Sequence, residues 1–166
     1  MLGARCCVLG FASILTAPLH AGEALVLSPE CLDVVVPSGI QRPVVVAVLS
    51  PRMVYSMTEW PRMRAAAEAE GFDTVAWWAP DLTNDEGVLA AQRAGWSVRE
   101  MADVVRVPDA CAGSLGHPNH FPYSRVLDRG GMHAWPIWGV MPNQAWVDSL
   151  RWRLWSLQQP REGRRP

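Results

Sequence analysis

Residues 43–71 read PVVVAVLSPRMVYSMTEWPRMRAAAEAEG and contain, in order, an apolar segment, a short loop and a segment of strong helix formers. The uncharged, valine-rich run over residues 44–49 is typical of a β-strand that is buried on both faces. Four alanines within residues 65–69 favour a helix, and Gly71 is placed to end it. We therefore predict a strand, a loop and a helix, with residues 53–56 at the helix N-terminus, where many α/β proteins place their chemistry.

The start of this helix has two notable features. Ser56 and Glu59 have the spacing of a capping box, in which a hydroxyl caps the helix and a carboxylate reaches back to the cap. Pro61 follows closely, and a proline is tolerated early in a helix but kinks it further along. Residues 53–56 include no cysteine, histidine or carboxylate, so the sequence predicts a fold here without specifying a reaction.

The segments on either side of this stretch extend the predicted sheet. Residues 72–78 read FDTVAWW and predict a second buried strand, which a right-handed crossover places parallel to the first. Two apolar runs upstream, at residues 24–27 and 32–36, predict one or two edge strands. Residues 122–140 predict a β-hairpin around a DRGG turn. The other predicted helices span residues 84–94 with Asn84 as cap, 97–105 with a Ser97–Glu100 capping box, and 143–158 with Trp146, Leu150, Leu154 and Leu157 facing the core.

Composition and charge exclude several classes of protein. The chain has 166 residues, 49% hydrophobic and 19% charged, which is enough apolar material for one globular domain with a core. Its formal net charge of −1 offers no global attraction for nucleic acid, so we expect no direct nucleic-acid binding. Nine tryptophans are many for this length and indicate an exposed aromatic surface as an alternative to core packing.

The N-terminus has the pattern of a secretory signal peptide. A short basic region with Arg5 precedes an apolar run over residues 6–19, which is too short to span a bilayer comfortably. We predict an exported, periplasmic protein with no stable membrane span after cleavage, and an uncleaved anchor is the alternative. The predicted organisation is a signal peptide at 1–21, one domain at 22–159 and a disordered basic tail at 160–166.

Cys31 and Cys111 are the two cysteines that remain after this cleavage. Two cysteines in an exported chain predict one disulfide, although two buried free thiols fit the same sequence. A bridge across so long a loop stabilises a fold by about 4 kcal/mol in the chain-entropy model. The two residues are not spaced as a CxxC redox motif.

The order of predicted elements resembles the thioredoxin fold over roughly residues 31–158. In thioredoxins a helix proline follows the second redox cysteine by five positions, and Ser56 and Pro61 have that offset, so Met53 and Ser56 stand at the cysteine positions. Thioredoxins also carry a cis-proline at the start of the hairpin, where Pro122 stands here. The resemblance implies an α/β fold whose central mixed sheet combines the βαβ unit with a C-terminal β-hairpin and helix, with helices on both faces.

The chain departs from thioredoxins at the redox motif itself. Neither methionine nor serine can exchange a disulfide, so we expect no enzymatic redox chemistry and no cofactor at this loop. The strings SPRMVYSMTEWPRMRAAAEA, NHFP and WPIWGVMP are also similar to exported, cysteine-less thioredoxin-like proteins of bacterial integrating conjugative elements. That similarity implies a role in a DNA-transfer apparatus, as an envelope or assembly component.

The thioredoxin resemblance also implies a binding groove. In redox-active relatives the loop before the helix faces the cis-proline segment, and this face holds an extended peptide by main-chain hydrogen bonds. The corresponding residues here are Met53, Val54, Tyr55, Ser56, His120, Phe121 and Pro122. The plainer alternative is that these residues only close the loop, with Met53 packed on Phe121.

Trp135 and Trp138 form a second candidate surface, a patch for a protein partner. Because neighbouring strand residues point to opposite faces, we expect one of the two rings in the core and the other exposed.

Soft metal chemistry is an alternative that the sequence leaves open. In this alternative the chain is a periplasmic thiol–disulfide or copper-handling protein that uses Cys111, His117 and His120. Sulfur and imidazole ligands suit cuprous ion. The sequence lacks tightly spaced Met-x-Met or His-x-His pairs, and methionine is a common core filler, so we expect no metal site. The main prediction is an exported, redox-inactive thioredoxin-like module that binds a protein or peptide partner in the cell envelope.

Overall fold

The computed structural model describes residues 27–35, 41–80, 82–116, 120–129, 131–133 and 135–159. The predicted signal peptide at 1–21 and the predicted tail at 160–166 lie outside the described residues and stay predictions. The helices are α1 (Pro29–Val35), α2 (Val54–Ala69), α3 (Asn84–Arg93), α4 (Val98–Ala102), α5 (Asp109–Ala112) and α6 (Asn143–Gln158). The strands are β1 (Val44–Leu49), β2 (Asp73–Trp78), β3 (Val104–Val105), β4 (Tyr123–Asp128), β5 (Gly131–Met132) and β6 (Ile137–Trp138).

These strands form one mixed sheet in the order β3-β2-β1-β4-β5, and β6 pairs with the first residues of β4. β1 runs parallel to β2, with Val46 opposite Val75, as the predicted βαβ unit requires. On its other side β1 pairs antiparallel with β4, with Val46 opposite Arg125. The predicted α/β class with a central mixed sheet is confirmed.

β1 is the centre of the molecule because every one of its residues is buried. Val45, Ala47 and Leu49 pack in a core layer with α2 and α6, which contributes Trp146 and Leu150. The alternate residues Val44, Val46 and Val48 pack in the opposite layer, with Leu115 and the cysteines of α1 and α5. Helices therefore cover both faces of the sheet, since successive side chains of a strand point to opposite sides.

α2 continues through Pro61 although a proline has no N–H to give to the carbonyl of Met57. Trp96 lies outside the helix and supplies the missing donor, because its Nε1–H donates to Met57 O at 2.7 Å. The indole of Trp96 thus satisfies the carbonyl that the proline leaves without a donor from the helix.

Several predicted elements differ from the observed ones. The predicted edge strand at residues 32–36 is largely helix α1, for which Pro29 is a favourable first residue. β3 lies inside the predicted helix 97–105, which ends early at Ala102 although its Ser97–Glu100 capping box is present. The cap of α3 is Thr83 rather than Asn84. The second hairpin strand is split into the two short strands β5 and β6.

Candidate binding site at the start of α2

The loop between β1 and α2 is a tight turn held by its own backbone. Met53 N–H donates to Ser50 O at 2.9 Å, and Ser56 N–H donates to Met53 O at 2.8 Å. Met53 is the N-cap residue, has an extended backbone and makes no side-chain cap. The first residues of α2, Val54 and Tyr55, are 66% and 60% exposed, so the helix begins with an apolar, solvent-facing turn.

Ser56 and Glu59 do not form the predicted capping box, and both side chains point into the protein. The buried Ser56 hydroxyl accepts a hydrogen bond from Ser50 N–H at 3.2 Å, which ties the helix back to the end of β1. Glu59 is 1% exposed and accepts hydrogen bonds from Met141 N–H at 3.0 Å, from Trp146 Nε1–H and from Arg62. The prediction was wrong because the pattern places a carboxylate near the helix start without showing that distant donors surround it.

The pairing of β4 with β1 brings Pro122 to the same end of the sheet as this loop. Val48 is opposite Tyr123 in antiparallel register, so Pro122 and Phe121, which precede Tyr123, lie at the end of β1 from which this loop begins. The Phe121–Pro122 peptide is cis, and Pro122 O accepts a hydrogen bond from Gly139 N–H at 2.8 Å. The structure thereby brings the two halves of the predicted groove to the same end of β1.

Phe121 lies at this end of the sheet, just before β4. Its side chain is half-buried and packs against the core layer that holds Cys31 of α1 and Cys111 of α5. Its N–H and C=O make no hydrogen bond to any of the residues that the structure describes. His120 is exposed, and its Nε2 lies 3.6 Å from where a Cβ on Gly139 would sit.

Trp135 and Trp138 do not share one patch. Both are exposed, at 55% and 43%, so the expectation that one of them would be core is wrong. Trp138 packs edge-on against Tyr123, which belongs to the core layer beneath α1. Trp135 precedes β6 and packs against Trp152 of α6, on the opposite face of the sheet. The buried residue between them is Ile137, which fills the core position.

The two cysteines of the described chain are joined. Cys31 of α1 and Cys111 of α5 form a disulfide with Cα atoms 5.4 Å apart, and both residues are buried. Cys111 therefore has no thiol to offer the copper site of the alternative prediction, and His117 lies outside the described residues. Among the residues placed by the structure, no group of three or more His, Cys, Asp or Glu side chains is arranged to hold a metal ion.

His133 and Arg153 form a buried polar cluster that the sequence patterns did not indicate. His133 is 1% exposed, its Nδ1 accepts from Trp135 N–H at 3.1 Å, and its Nε2 has no partner in the described structure. Burial lowers the pKa of His133, and the nearby guanidinium groups of Arg153 and Arg125 lower it further. Burial also lowers the pKa of Arg153 to about 10. No motif marks this cluster, because most of its partners are main-chain groups.

No family model matches the chain, and no curated protein matches it significantly, whereas several solved structures do. A thioredoxin family protein from Chlorobium tepidum TLS, described as a thiol:disulfide interchange protein, matches with a TM-score of 0.53 at 15% identity, over 68% of this chain and 80% of that one. The exposed lipoprotein thioredoxin Etrx1 of Streptococcus pneumoniae matches with a TM-score of 0.51 at 14% identity, over 66% and 84%.

StoA from Bacillus subtilis is a third similar structure, with a TM-score of 0.50 at 13% identity over 72% of this chain and 86% of that one. At such low identity these similarities establish the architecture only. Among the described residues, no helix has the length and apolarity needed to cross a membrane. The chain has a thioredoxin-like fold in which the α2 loop and Pro122 both lie at the carboxyl end of β1.

Proposed function

We propose that this chain is an exported thioredoxin-like module that binds an extended peptide segment of a partner protein beside Phe121. The observation that carries the proposal is that the N–H and C=O of Phe121 have no hydrogen-bond partner among the residues that the structure describes, two positions before the first residue of β4 that pairs with β1. A peptide strand placed there would exchange main-chain hydrogen bonds with Phe121, which is how strand addition gives affinity without side-chain chemistry.

The neighbouring side chains favour apolar residues in that peptide. Val54 and Tyr55 are largely exposed on the α2 side, and Trp138 is partly exposed beyond Pro122. Because alternate side chains of an extended segment face the same way, a peptide along Phe121 would turn every second residue toward these groups. Large apolar or aromatic residues at those positions would remove this surface from water.

Cross-linking tests the groove even while the partner is unidentified. A photo-reactive phenylalanine analogue at Tyr55 should give discrete cross-linked products in the envelope fraction, and the same analogue at Leu89, an exposed residue of α3, should not. Peptides recovered from the Tyr55 products are then synthesised, and their binding to the full chain is measured by fluorescence anisotropy. Equal product patterns from both positions, or recovered peptides that bind a Phe121→Pro variant as well as wild type, would reject the groove.

The loop should still have the geometry of a redox site, although Met53 and Ser56 carry no thiol. We predict that Met53→Cys combined with Ser56→Cys produces a chain that reduces insulin in the presence of dithiothreitol, because a cysteine at the N-cap gains thiolate character from the helix N-terminus. The matched controls are the two single variants, each with one thiol at the loop. A double variant as inactive as either single one would contradict a thioredoxin-type arrangement of this loop.

The similar structures favour a second candidate, a thiol–disulfide function that uses Cys31 and Cys111. Two of the similar proteins from Chlorobium tepidum are described as thiol:disulfide interchange proteins, one of them as a putative DsbE, which supports this class more than a conjugative role. Exchange requires a thiolate to reach a sulfur, and here both cysteine residues are buried. Insulin reduction by wild type that is abolished in Cys111→Ser would establish this candidate over the peptide-binding module.

A place in a conjugative apparatus remains a further proposal that rests on the sequence strings alone. It is tested by deleting the gene and measuring the transfer frequency of a marked element, with complementation by wild type and by Tyr55→Ala. If wild type restores transfer and Tyr55→Ala does not, the role in transfer depends on the groove.

A further inference from the structure

Three tryptophans lie together on a face that the peptide groove does not use. Trp135, Trp152 and Trp155 are 55%, 46% and 59% exposed, and we call them the tryptophan face. The ring centroids of Trp135 and Trp152 are 6.4 Å apart, and Trp155 follows Trp152 by three residues, which places both on one side of α6. The core stripe of α6 runs through Trp146 and Leu150, so the tryptophan face is not part of that stripe.

A cationic group lies beneath this face. The Arg153 guanidinium lies 5.4 Å from the centre of the Trp152 ring. It donates to the carbonyls of Trp135 and Pro136 at 3.0 Å and to Ser149, and it forms no ion pair with any carboxylate that the structure describes. Its positive charge is therefore not neutralised by a neighbouring acid.

The formal charge is unevenly distributed along the sequence, and the C-terminal segment is positive. Residues 149–166 contain five arginines and one glutamate, a net charge of +4, while the complete chain carries −1, which leaves −5 for residues 1–148. Three of these arginines, at positions 161, 164 and 165, follow α6 directly in the sequence. Trp152 and Trp155 thus lie in a C-terminal segment of net positive sequence charge, in which Arg151 is paired with Glu70.

We propose that the tryptophan face binds the surface of a membrane that contains anionic phospholipids. Indole rings prefer the boundary between headgroups and hydrocarbon, where the ring is sheltered and its N–H stays solvated. Arginines of the same C-terminal segment attract lipid phosphates, and the acidic remainder of the chain is repelled by them. The attachment is peripheral and reversible, and it leaves the groove at the α2 N-terminus open to a partner.

Vesicle co-sedimentation of the full chain tests this proposal. Vesicles of phosphatidylcholine with 30% phosphatidylglycerol are compared with vesicles of phosphatidylcholine alone, in about 50 mM and about 500 mM NaCl. The readout is the difference between the two vesicle types, because an N-terminal apolar segment would add equally to both. We expect at least about fivefold more protein on the anionic vesicles at low salt, and loss of that excess at high salt.

Variants assign the binding to the face. Trp152→Ser with Trp155→Ser should lower the anionic excess about fivefold or more, whereas Trp138→Ser, a partly exposed tryptophan on the opposite side of the sheet, should leave it within about twofold. Replacing Arg161, Arg164 and Arg165 by Gln should lower the excess while keeping the thermal unfolding midpoint of wild type. If the double variant has a lower thermal unfolding midpoint than wild type, Trp155→Ser alone is used in its place, because Trp155 is the most exposed of the three.

Three results would overturn the proposal. Equal sedimentation with both vesicle types, or an anionic excess that Trp138→Ser removes as fully as the face variants, would exclude this surface. Retention by an oligothymidine of 20 nucleotides without vesicle binding would identify the face as a single-strand site instead. A dimer in sedimentation velocity that the Trp152 and Trp155 variants abolish would identify it as a contact between two copies.

Discussion

At the scale of single residues, Glu59 joins three elements. It lies on α2, and its carboxylate accepts hydrogen bonds from Met141 after β6 and from Trp146 of α6. Arg62, one turn along α2, pairs with the same carboxylate at 2.6 Å. A charged acceptor with several donors inside a core makes stronger hydrogen bonds than a neutral one, so this residue holds α6 against α2.

Glu59→Gln should therefore lower the free energy of unfolding by about 1–3 kcal/mol, because the amide keeps the size of the carboxylate but leaves one of its donors facing another donor. Urea denaturation followed by far-UV circular dichroism measures the change. Glu30→Gln, an exposed carboxylate on α1, is the matched control and should shift the free energy by no more than about 0.5 kcal/mol. Equal midpoints for the two variants would show that Glu59 does not hold these elements together.

His133 makes stability depend on pH. Its pKa is lowered from 6.5 in the folded protein, first by burial, so the unfolded chain binds a proton more readily than the folded one. The free energy of unfolding should consequently be constant above about pH 6.5 and fall as the pH drops through the folded pKa, with a slope of at most about 1.4 kcal/mol per pH unit.

His133→Asn removes this titration while keeping an acceptor near Trp135 N–H. Denaturation midpoints measured between pH 7 and pH 5 should fall less for the variant than for wild type. The capping carboxylates Glu86 and Glu100 also lose stability in acid, but their pKa values are lowered from 4.5, so their effect begins at lower pH. Parallel curves for variant and wild type above pH 5 would contradict the role given to His133.

At the scale of elements, α2 depends on a donor outside itself. Trp96→Phe leaves the Met57 carbonyl without a partner and should cost about 1–3 kcal/mol of unfolding free energy. In a Pro61→Ala background the restored N–H of residue 61 can donate to the same carbonyl, so Trp96→Phe should cost about 1 kcal/mol less there. Additive effects in this double-mutant cycle would show that the indole does not compensate for the proline.

At the scale of the whole molecule, the Cys31–Cys111 disulfide closes a loop across 80 residues and fastens α1 and α5 over one face of the sheet. Replacing both cysteines by Ala should lower the free energy of unfolding by about 3–5 kcal/mol, because the unfolded chain is no longer cross-linked. Thermal unfolding under oxidising conditions measures this loss, and thiol alkylation of wild type should add mass only after reduction. Two alkylated cysteines in the unreduced, folded protein would contradict the bridge.

The sequence alone determined the central βαβ unit, the mixed sheet and the helices on both of its faces. The strand and the helix of the βαβ unit follow from local chemistry, because an uncharged run of valines favours a buried strand and alanines before Gly71 favour a helix, whereas the mixed sheet and the helices on both faces were implied by the resemblance to thioredoxins. Met53 at the N-terminus of α2 and Pro122 before β4 were identified by their correspondence to thioredoxin positions.

The tertiary structure decided which of these side chains are buried and which groups they bond. Ser56 and Glu59 have the spacing of a helix cap, but Ser50 N–H, Met141 N–H and the Trp146 indole draw them inward. Trp135 and Trp138 became exposed on opposite faces because Ile137 took the core position between them. The donors to Glu59 are 82 and 87 residues away in the chain, and a local pattern carries no information about such partners.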